Sequence, residues 1–178
     1  DIITTHLPIK QAKLMFTELV EAKQKQAKAD SVVLCWTSNE NFRKKVDPTY
    51  KGNRVNYHRR KPVGFVATRN WAEGAYPSEC WYNLEGDDVL GILSTRNPEQ
   101  TILWSGDKDL KQIPGLHLDN EGNTYSISDL EADVYFYRQV LTGDSTDGYP
   151  GCPGVGPKTA EKLIPEEDFT EASAWRTV

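Results

Sequence analysis

Seven carboxylates fall in three short motifs of this chain: Glu85, Asp87 and Asp88 in LEGDDVLG, Asp107 and Asp109 in SGDKDL, and Asp144 and Asp147 in LTGDSTDG. Glu85 and Asp88 are three apart, which places both on one face of a helical turn. Asp107 and Asp109 directly follow a short apolar run that reads as a strand, and in open α/β sheets ligands bind beyond the carboxyl ends of the strands. Gathered in one cleft, like charges repel and raise one another's pKa. A hard divalent cation relieves that repulsion, and an oxygen-only donor set favours Mg²⁺ or Mn²⁺ over zinc. Two such ions about 4 Å apart stabilise both the attacking and the leaving oxygen of a phosphodiester displacement. Any one of these motifs alone reads more readily as a helix cap or a solvated turn; the recurrence of three points to a metal site.

Two further stretches suit a polyanion. Gly151 to Ala160 (GCPGVGPKTA) matches a helix-hairpin-helix core. Gly154 and Gly156 let backbone approach a phosphate closely, N–H groups at the start of the next helix bind the anion, and Lys158 and Thr159 follow. Such contacts are sequence-independent, and a plain Gly/Pro loop is the alternative. Between Arg43 and Lys61 lie eight Lys/Arg and one acid, Asp47. Arg43, Lys44, Lys45, Lys51, Arg54, Arg59, Arg60 and Lys61 surround Phe42, Tyr50 and Tyr57. Cations interleaved with aromatics suit a nucleic-acid strand, charges on phosphates and rings on bases. A solvated charged loop fits equally, and Phe42 and Tyr50 could be core anchors. The net charge of −5 argues weakly against a nucleic-acid partner, but its distribution, basic early and acidic later, matters more than the sum.

The elements that must position these residues follow from periodicity. Pro8 suits a first helical position, and Ile9, Ala12, Phe16, Leu19 and Val20 recur at helical spacing, predicting a helix to Ala29. SVVLCWT (31–37) and TILWS (101–105) read as buried strands. A helix opens at Glu85 with acids in its first turn. Leu116 and Leu118, then Tyr125 and Ile127, flank a hairpin loop at 119–123. Ser128 and Glu131 form a capping box for a helix to about Leu141. Strands alternating with helices predict an α/β fold with a parallel sheet. The expected division is an α/β core over 1–124 and a helical module over 125–178 that carries the hairpin motif. The length of 178 residues accommodates both. No apolar run approaches a membrane span, residues 1–6 do not read as a secretory signal, and Cys35, Cys80 and Cys152 fit a reducing cytoplasm better than a disulfide or zinc framework.

Taken in order, NFRKKVDPTYKGNR, LEGDDVLG, SGDKDLKQIPG and LTGDSTDGYPGCPGVGPKTAEKL resemble the 5′ nuclease superfamily of flap endonucleases, polymerase-associated 5′ nucleases and phage 5′→3′ exonucleases. They look most like the exonucleases of T-seven-like phages. The resemblance covers roughly Ala12 to Ile164. It implies a PIN-like core followed by a helix-hairpin-helix (H3TH) module. It implies Glu85 as a ligand of a first metal, Asp87 between two metals, Asp88 as a neighbouring acid, Asp107, Asp109 and Asp147 as ligands of a second, and Asp144 as an additional acid. Lys51 and Arg54 match the basic residues that contact the scissile phosphate. The hairpin would grip duplex DNA, with a monovalent cation such as K⁺ on its carbonyls. The implied activity is 5′→3′ exonuclease or flap endonuclease hydrolysis of DNA, extending to RNA in RNA–DNA hybrids, in phage replication, primer removal or host DNA degradation. Relatives begin with a strand of the form hhhDG, whereas this chain starts Asp1-Ile2-Ile3-Thr4. Many also carry an Asp where this chain reads CWTSN, with Glu40 the nearest acid. The expectation is therefore a piece of a longer protein. A catalytically inactive DNA-binding fragment is the competing reading. A phosphatase of the haloacid-dehalogenase type is disfavoured, because Lys111 stands where that motif needs Thr or Val.

Overall fold

Helix α1 (Ile2–Ala27) opens the fold and runs through Pro8 rather than starting there. Proline lacks the N–H that bonds four residues back, so the ladder loses one bond at that point but continues. The computed structural model describes residues 2–52 and 63–178, with side chains from Pro8 onward. Val20 is buried on the inner face of α1. Phe16 meets Trp71 and Tyr76 edge-on at 6.3 and 5.9 Å between centroids. That aromatic trio joins α1 to helix α3 (Phe65–Ala75), beyond the short helix α2 (Arg43–Val46).

Among the described residues the strands form two small sheets. β1 (Leu34–Cys35) pairs parallel with β2 (Ser78–Glu79). β3 (Ile102–Trp104) pairs parallel with β4 (Gly115–Leu118), which pairs antiparallel with β5 (Thr124–Ile127). The expected buried strand over 31–37 is therefore only two residues long and half-buried, because its partner β2 offers two residues for pairing. In β3 only Leu103 is fully buried, since β3 is the end strand of its sheet. The three-stranded sheet is mixed rather than purely parallel. The 119–123 turn joins β4 to β5 as expected, and the register sets Leu116 opposite Ser126 and Leu118 opposite Thr124, with Tyr125 and Ile127 opposite His117 and Gly115. β5 carries the sheet past Thr124 to Ile127.

Helix α4 (Gly86–Arg96) begins immediately after Glu85, whose N–H donates to the Asp88 carboxylate at 2.8 Å. Its first residue lies so close to β1 that a Cβ on Gly86 would sit 3.0 Å from the Cys35 carbonyl oxygen. Val89 is fully buried behind that contact. Helix α5 (Asp129–Thr142) has the expected capping box: Ser128 Oγ accepts from the Glu131 N–H at 3.2 Å, and the Ser128 N–H donates to Glu131 Oε2 at 2.7 Å. Its buried residues Val134, Tyr137 and Leu141 pack with Ala160 and Ile164, around helix α6 (Pro157–Leu163), and with Ala174 of helix α7 (Glu171–Thr177). Burying a leucine such as Leu141 contributes about 2 kcal/mol. Among the described residues no helix is long and apolar enough to cross a membrane.

Candidate active site

Three segments deliver acids to one cleft of about 770 Å³. The start of α4 supplies Glu85 and Asp87. The turn after β3 supplies Asp107 and Asp109, with Asp107 Oδ1 accepting from the Asp109 N–H at 2.9 Å. The loop after α5 supplies Asp144 and Asp147. Six of the seven acids singled out in the sequence thus line the cleft, together with Arg43, Tyr50 and Lys51.

Asp88 is engaged differently. As the third residue of α4 it turns back toward the helix start. Arg43 takes both its oxygens in a fork at 2.6 and 2.7 Å, while the Glu85 N–H shares one of them. Arg43, with Asp88 as hydrogen-bond partner, is held above its ordinary pKa, and Asp88 below its own despite partial burial. The Arg43 guanidinium also comes within 3.8 Å of Glu85.

Lys51 is conformationally unusual. Its φ is +55°, a region that residues with a Cβ seldom occupy. Its N–H donates to the Asp147 carbonyl at 3.1 Å, and its Nζ lies 3.0 Å from Glu85 and 3.7 Å from Asp147. The Tyr50 hydroxyl bridges the same two acids at 2.9 and 3.2 Å. Burial, and the hydrogen bond to Glu85, push the Tyr50 phenol well above its usual range, so it stays a neutral donor. The Tyr50 hydroxyl is thus engaged with two carboxylates, a contact that neither reading of the sequence, a ring for bases or a core anchor, anticipates.

Two of the remaining acids, Asp87 and Asp109, carry charge that their surroundings disfavour. Asp87 keeps an exposed edge, yet partial desolvation, then Asp107 and Glu85, raise its pKa. Asp109 is raised by desolvation and by Asp107 and Asp144, against the lowering hydrogen bond from Gln139. Asp144 is buried and held down at about 2, chiefly by Lys108 at 2.7 Å and also by the Thr146 N–H. Sequence reasoning singled out neither Lys108 nor Gln139. The only signal for Lys108 was its place between two of the acids, and for Gln139 its position one turn before Asp144.

The donor set suits a hard divalent cation: carboxylate oxygens only, crowded enough to raise two of their own pKa values. Among the described residues no three acid, His or Cys side chains converge closely enough to hold an ion as they stand. The Lys51 and Lys108 ammonium groups instead lie against Glu85, Asp147 and Asp144. The residues fit a divalent metal by the chemistry of their oxygens and by sharing one cleft, while Lys51 and Lys108 occupy part of the carboxylate charge as they stand.

Of the other residues singled out, Lys45 is exposed, 3.6 Å from Glu40 and 5.7 Å from the Tyr82 ring centroid. Arg54, Arg59, Arg60 and Lys61, with Tyr57, lie outside the described residues. Gly154, Gly156, Lys158 and Thr159 are all exposed at the turn into α6, and Gly154 adopts φ +78° with open space around it.

Comparison with known proteins gives a consistent picture. Residues 4–133 match the family model described as 5′-3′ exonuclease, N-terminal resolvase-like domain. The chain is 35% identical over 164 residues to the exodeoxyribonuclease of Enterobacteria phage T3, covering 85% of this chain and 52% of that protein. It is 34% identical, with the same coverage, to the exonuclease of Escherichia phage T7. Flap endonuclease Xni of Shewanella oneidensis is 27% identical over 147 residues, or 75% of this chain and 56% of that protein. The chain thus spans about half the length of the curated relatives it matches. Among solved structures, the T5 D15 protein co-crystallised with metal ions superposes with a TM-score of 0.72 at 16% identity, covering 86% of this chain and 68% of that one. That likeness establishes the shared α/β fold.

Proposed function

We propose that this chain, which belongs to the 5′-3′ exonuclease family through its N-terminal resolvase-like domain, provides the catalytic cleft of a divalent-metal-dependent 5′→3′ nuclease acting on DNA. The observation that carries this reading is the meeting of six carboxylates from three segments in one cleft beside Lys51 and Arg43. Glu85 and Asp87 would hold one ion and Asp107, Asp109 and Asp147 a second, with Asp144 supporting from its buried place. When bound, a pair of Mg²⁺ or Mn²⁺ ions neutralises charge on the attacking and leaving oxygens of a phosphodiester. Lys51, with its stem fixed by the left-handed backbone, and Arg43, oriented by Asp88, supply cations to the scissile phosphate, as Arg54 would. Tyr50 keeps Glu85 and Asp147 together as a proton-retaining donor.

The helical part, which begins at Ser128 once β5 is assigned to the sheet, would bind duplex backbone through the exposed Gly154–Thr159 turn, with K⁺ as an auxiliary ion. This is the H3TH role. Lys158→Ala is expected to weaken binding about equally for all DNA sequences and to reduce the salt dependence by about one phosphate contact. Fluorescence anisotropy on two unrelated duplexes at several salt concentrations checks this, and a loss confined to one sequence would contradict it.

The substrate is a DNA 5′ end or flap, or the RNA strand of an RNA–DNA hybrid, in the cytoplasm of a host cell. A 5′-labelled duplex, a flap and a hybrid, incubated with Mg²⁺, Mn²⁺ or chelator, test the proposal: metal-dependent release of 5′ products supports it. The second reading is a fragment that binds DNA without cutting it. It draws on Lys51 and Lys108 standing against the carboxylates, and binding without cleavage in either metal would favour it.

Metal binding should also register as stability. Asp87 and Asp109 are raised above their ordinary pKa on folding, so these two groups hold more protons in the folded state. Their contribution to stability therefore falls as pH rises from the ordinary carboxylate value through the raised ones. A bound cation removes that penalty. Mn²⁺ is expected to raise Tm more at pH 7.5 than at pH 5, read by thermal melts in matched buffers. Equal increments at both pH values would argue against coordination by these acids.

A further inference from the structure

We infer that Gln139 is a positioning residue that ties Asp109, one of the proposed metal ligands, to the buried Asp144 of a separate segment. The inference rests on the nuclease reading above.

The side-chain amide of Gln139, near the end of α5, donates from Nε2 to Asp109 Oδ1 at 2.7 Å and to Asp144 Oδ2 at a longer 3.5 Å. Gln112 Nε2 in turn donates to Gln139 Oε1 at 2.5 Å. Gln112 ends the short 3-10 helix (Lys108–Gln112) that also carries Asp109. Chemistry dictates the direction of this chain of bonds. Ionised carboxylates only accept, so Gln139 must present its nitrogen to them. Its oxygen then faces Gln112, which must donate. Gln112 thus locks the orientation of the amide that Gln139 offers to the acids.

A neutral donor suits this task better than a cation. Lys108 also ties down Asp144, at 2.7 Å, but its charge competes with an incoming metal and must withdraw. Gln139 adds no charge and keeps its bonds when a cation arrives on the other carboxylate lone pairs. Hydrogen bonds behind metal ligands orient them, and losing one such partner typically costs about 10- to 100-fold in metal affinity.

Gln139→Met keeps the length of the side chain and deletes the donor. Gln112→Met leaves Gln139 in place but frees its amide to rotate. Calorimetric Mn²⁺ titrations of the wild-type chain and both variants provide the readout, alongside thermal melts without metal and duplex binding in chelator. Gln139→Met is expected to weaken Mn²⁺ binding by about 10- to 100-fold, with metal-free DNA affinity unchanged and any cleavage deficit recovered at higher Mn²⁺. Gln112→Met is expected to shift Mn²⁺ affinity in the same direction by less. If Gln139→Met does not fold, Gln112→Met decides. Wild-type Mn²⁺ affinity in the folded variants overturns the positioning role while leaving the nuclease reading intact. A parallel loss of metal-free melting temperature and DNA affinity with Mn²⁺ binding preserved also overturns it, as a purely structural role. If the wild-type chain itself binds no Mn²⁺, the nuclease reading fails and this inference fails with it.

Discussion

Asp87→Asn should reduce metal-dependent cleavage about a thousandfold, equivalent to about 4 kcal/mol in the barrier, while the metal-free protein melts at a higher temperature than wild type. The two effects have one cause. Asp87 faces the cleft from the first turn of α4, where partial desolvation, Asp107 and Glu85 all disfavour its charge. With metal bound, that charge is an asset. Without metal it is a penalty on the folded state, and the amide removes it at nearly constant shape. The sign follows from linkage: a folded pKa above the unfolded one means the ionised group opposes folding at neutral pH. The stability gain over wild type should shrink as pH falls toward the ordinary carboxylate range, where Asp87 is protonated in both states. Melts at pH 7.5 and pH 5 and a gel assay on a 5′-labelled duplex measure both effects. Wild-type cleavage by the variant would remove Asp87 from the proposed ligands.

The largest loss of stability is expected from Gly151→Ala, about 3 kcal/mol or more, which for a chain of this length lowers Tm by about 10 °C. Two chain segments pass backbone to backbone at the neck of the loop that carries Asp144 and Asp147. Gly143 has φ +74° and Gly151 φ +66°. A Cβ on Gly143 would come within 2.5 Å of the Gly151 nitrogen, and one on Gly151 would run into the backbone of Thr142 and Gly143. Beyond the neck, Asp144 and Tyr149 exchange backbone hydrogen bonds at 2.7 and 2.8 Å, and the Cys152 N–H donates to the Leu141 carbonyl at 2.7 Å. Opening this neck displaces both acids, so cleavage should fall together with stability. Gly154→Ala is the control. It also has positive φ but meets nothing within 4 Å, so it should cost only the left-handed penalty of about 1–2 kcal/mol. Equal melting temperatures for the two variants would show that the close approach contributes nothing.

Some of this protein was legible in its sequence because the forces involved act within a turn or two of chain. The Ser128–Glu131 capping box, the acids at the start of α4 and the β4–β5 turn at 119–123 each depend on neighbours three to five positions away. Their residues specify them without reference to the rest of the fold. The order of acidic motifs likewise marked which segments had to converge. Partner choice across the cleft was decided only by the tertiary structure. The three-residue spacing puts Asp88 on the face of Glu85, but nothing local says that Arg43 from α2 will clasp it while Asp87 opens onto the cleft. The Tyr50 hydroxyl reaches Glu85 and Asp147, and the Gln139 amide reaches Asp109, over separations that periodicity does not encode. Strand extent was decided the same way: 31–37 is apolar enough for a long strand, but only the two residues that β2 can pair form one. Hydrogen-bond donors and charges are written in the sequence; which of them meet depends on how the helices and sheets pack and bring distant stretches of chain side by side.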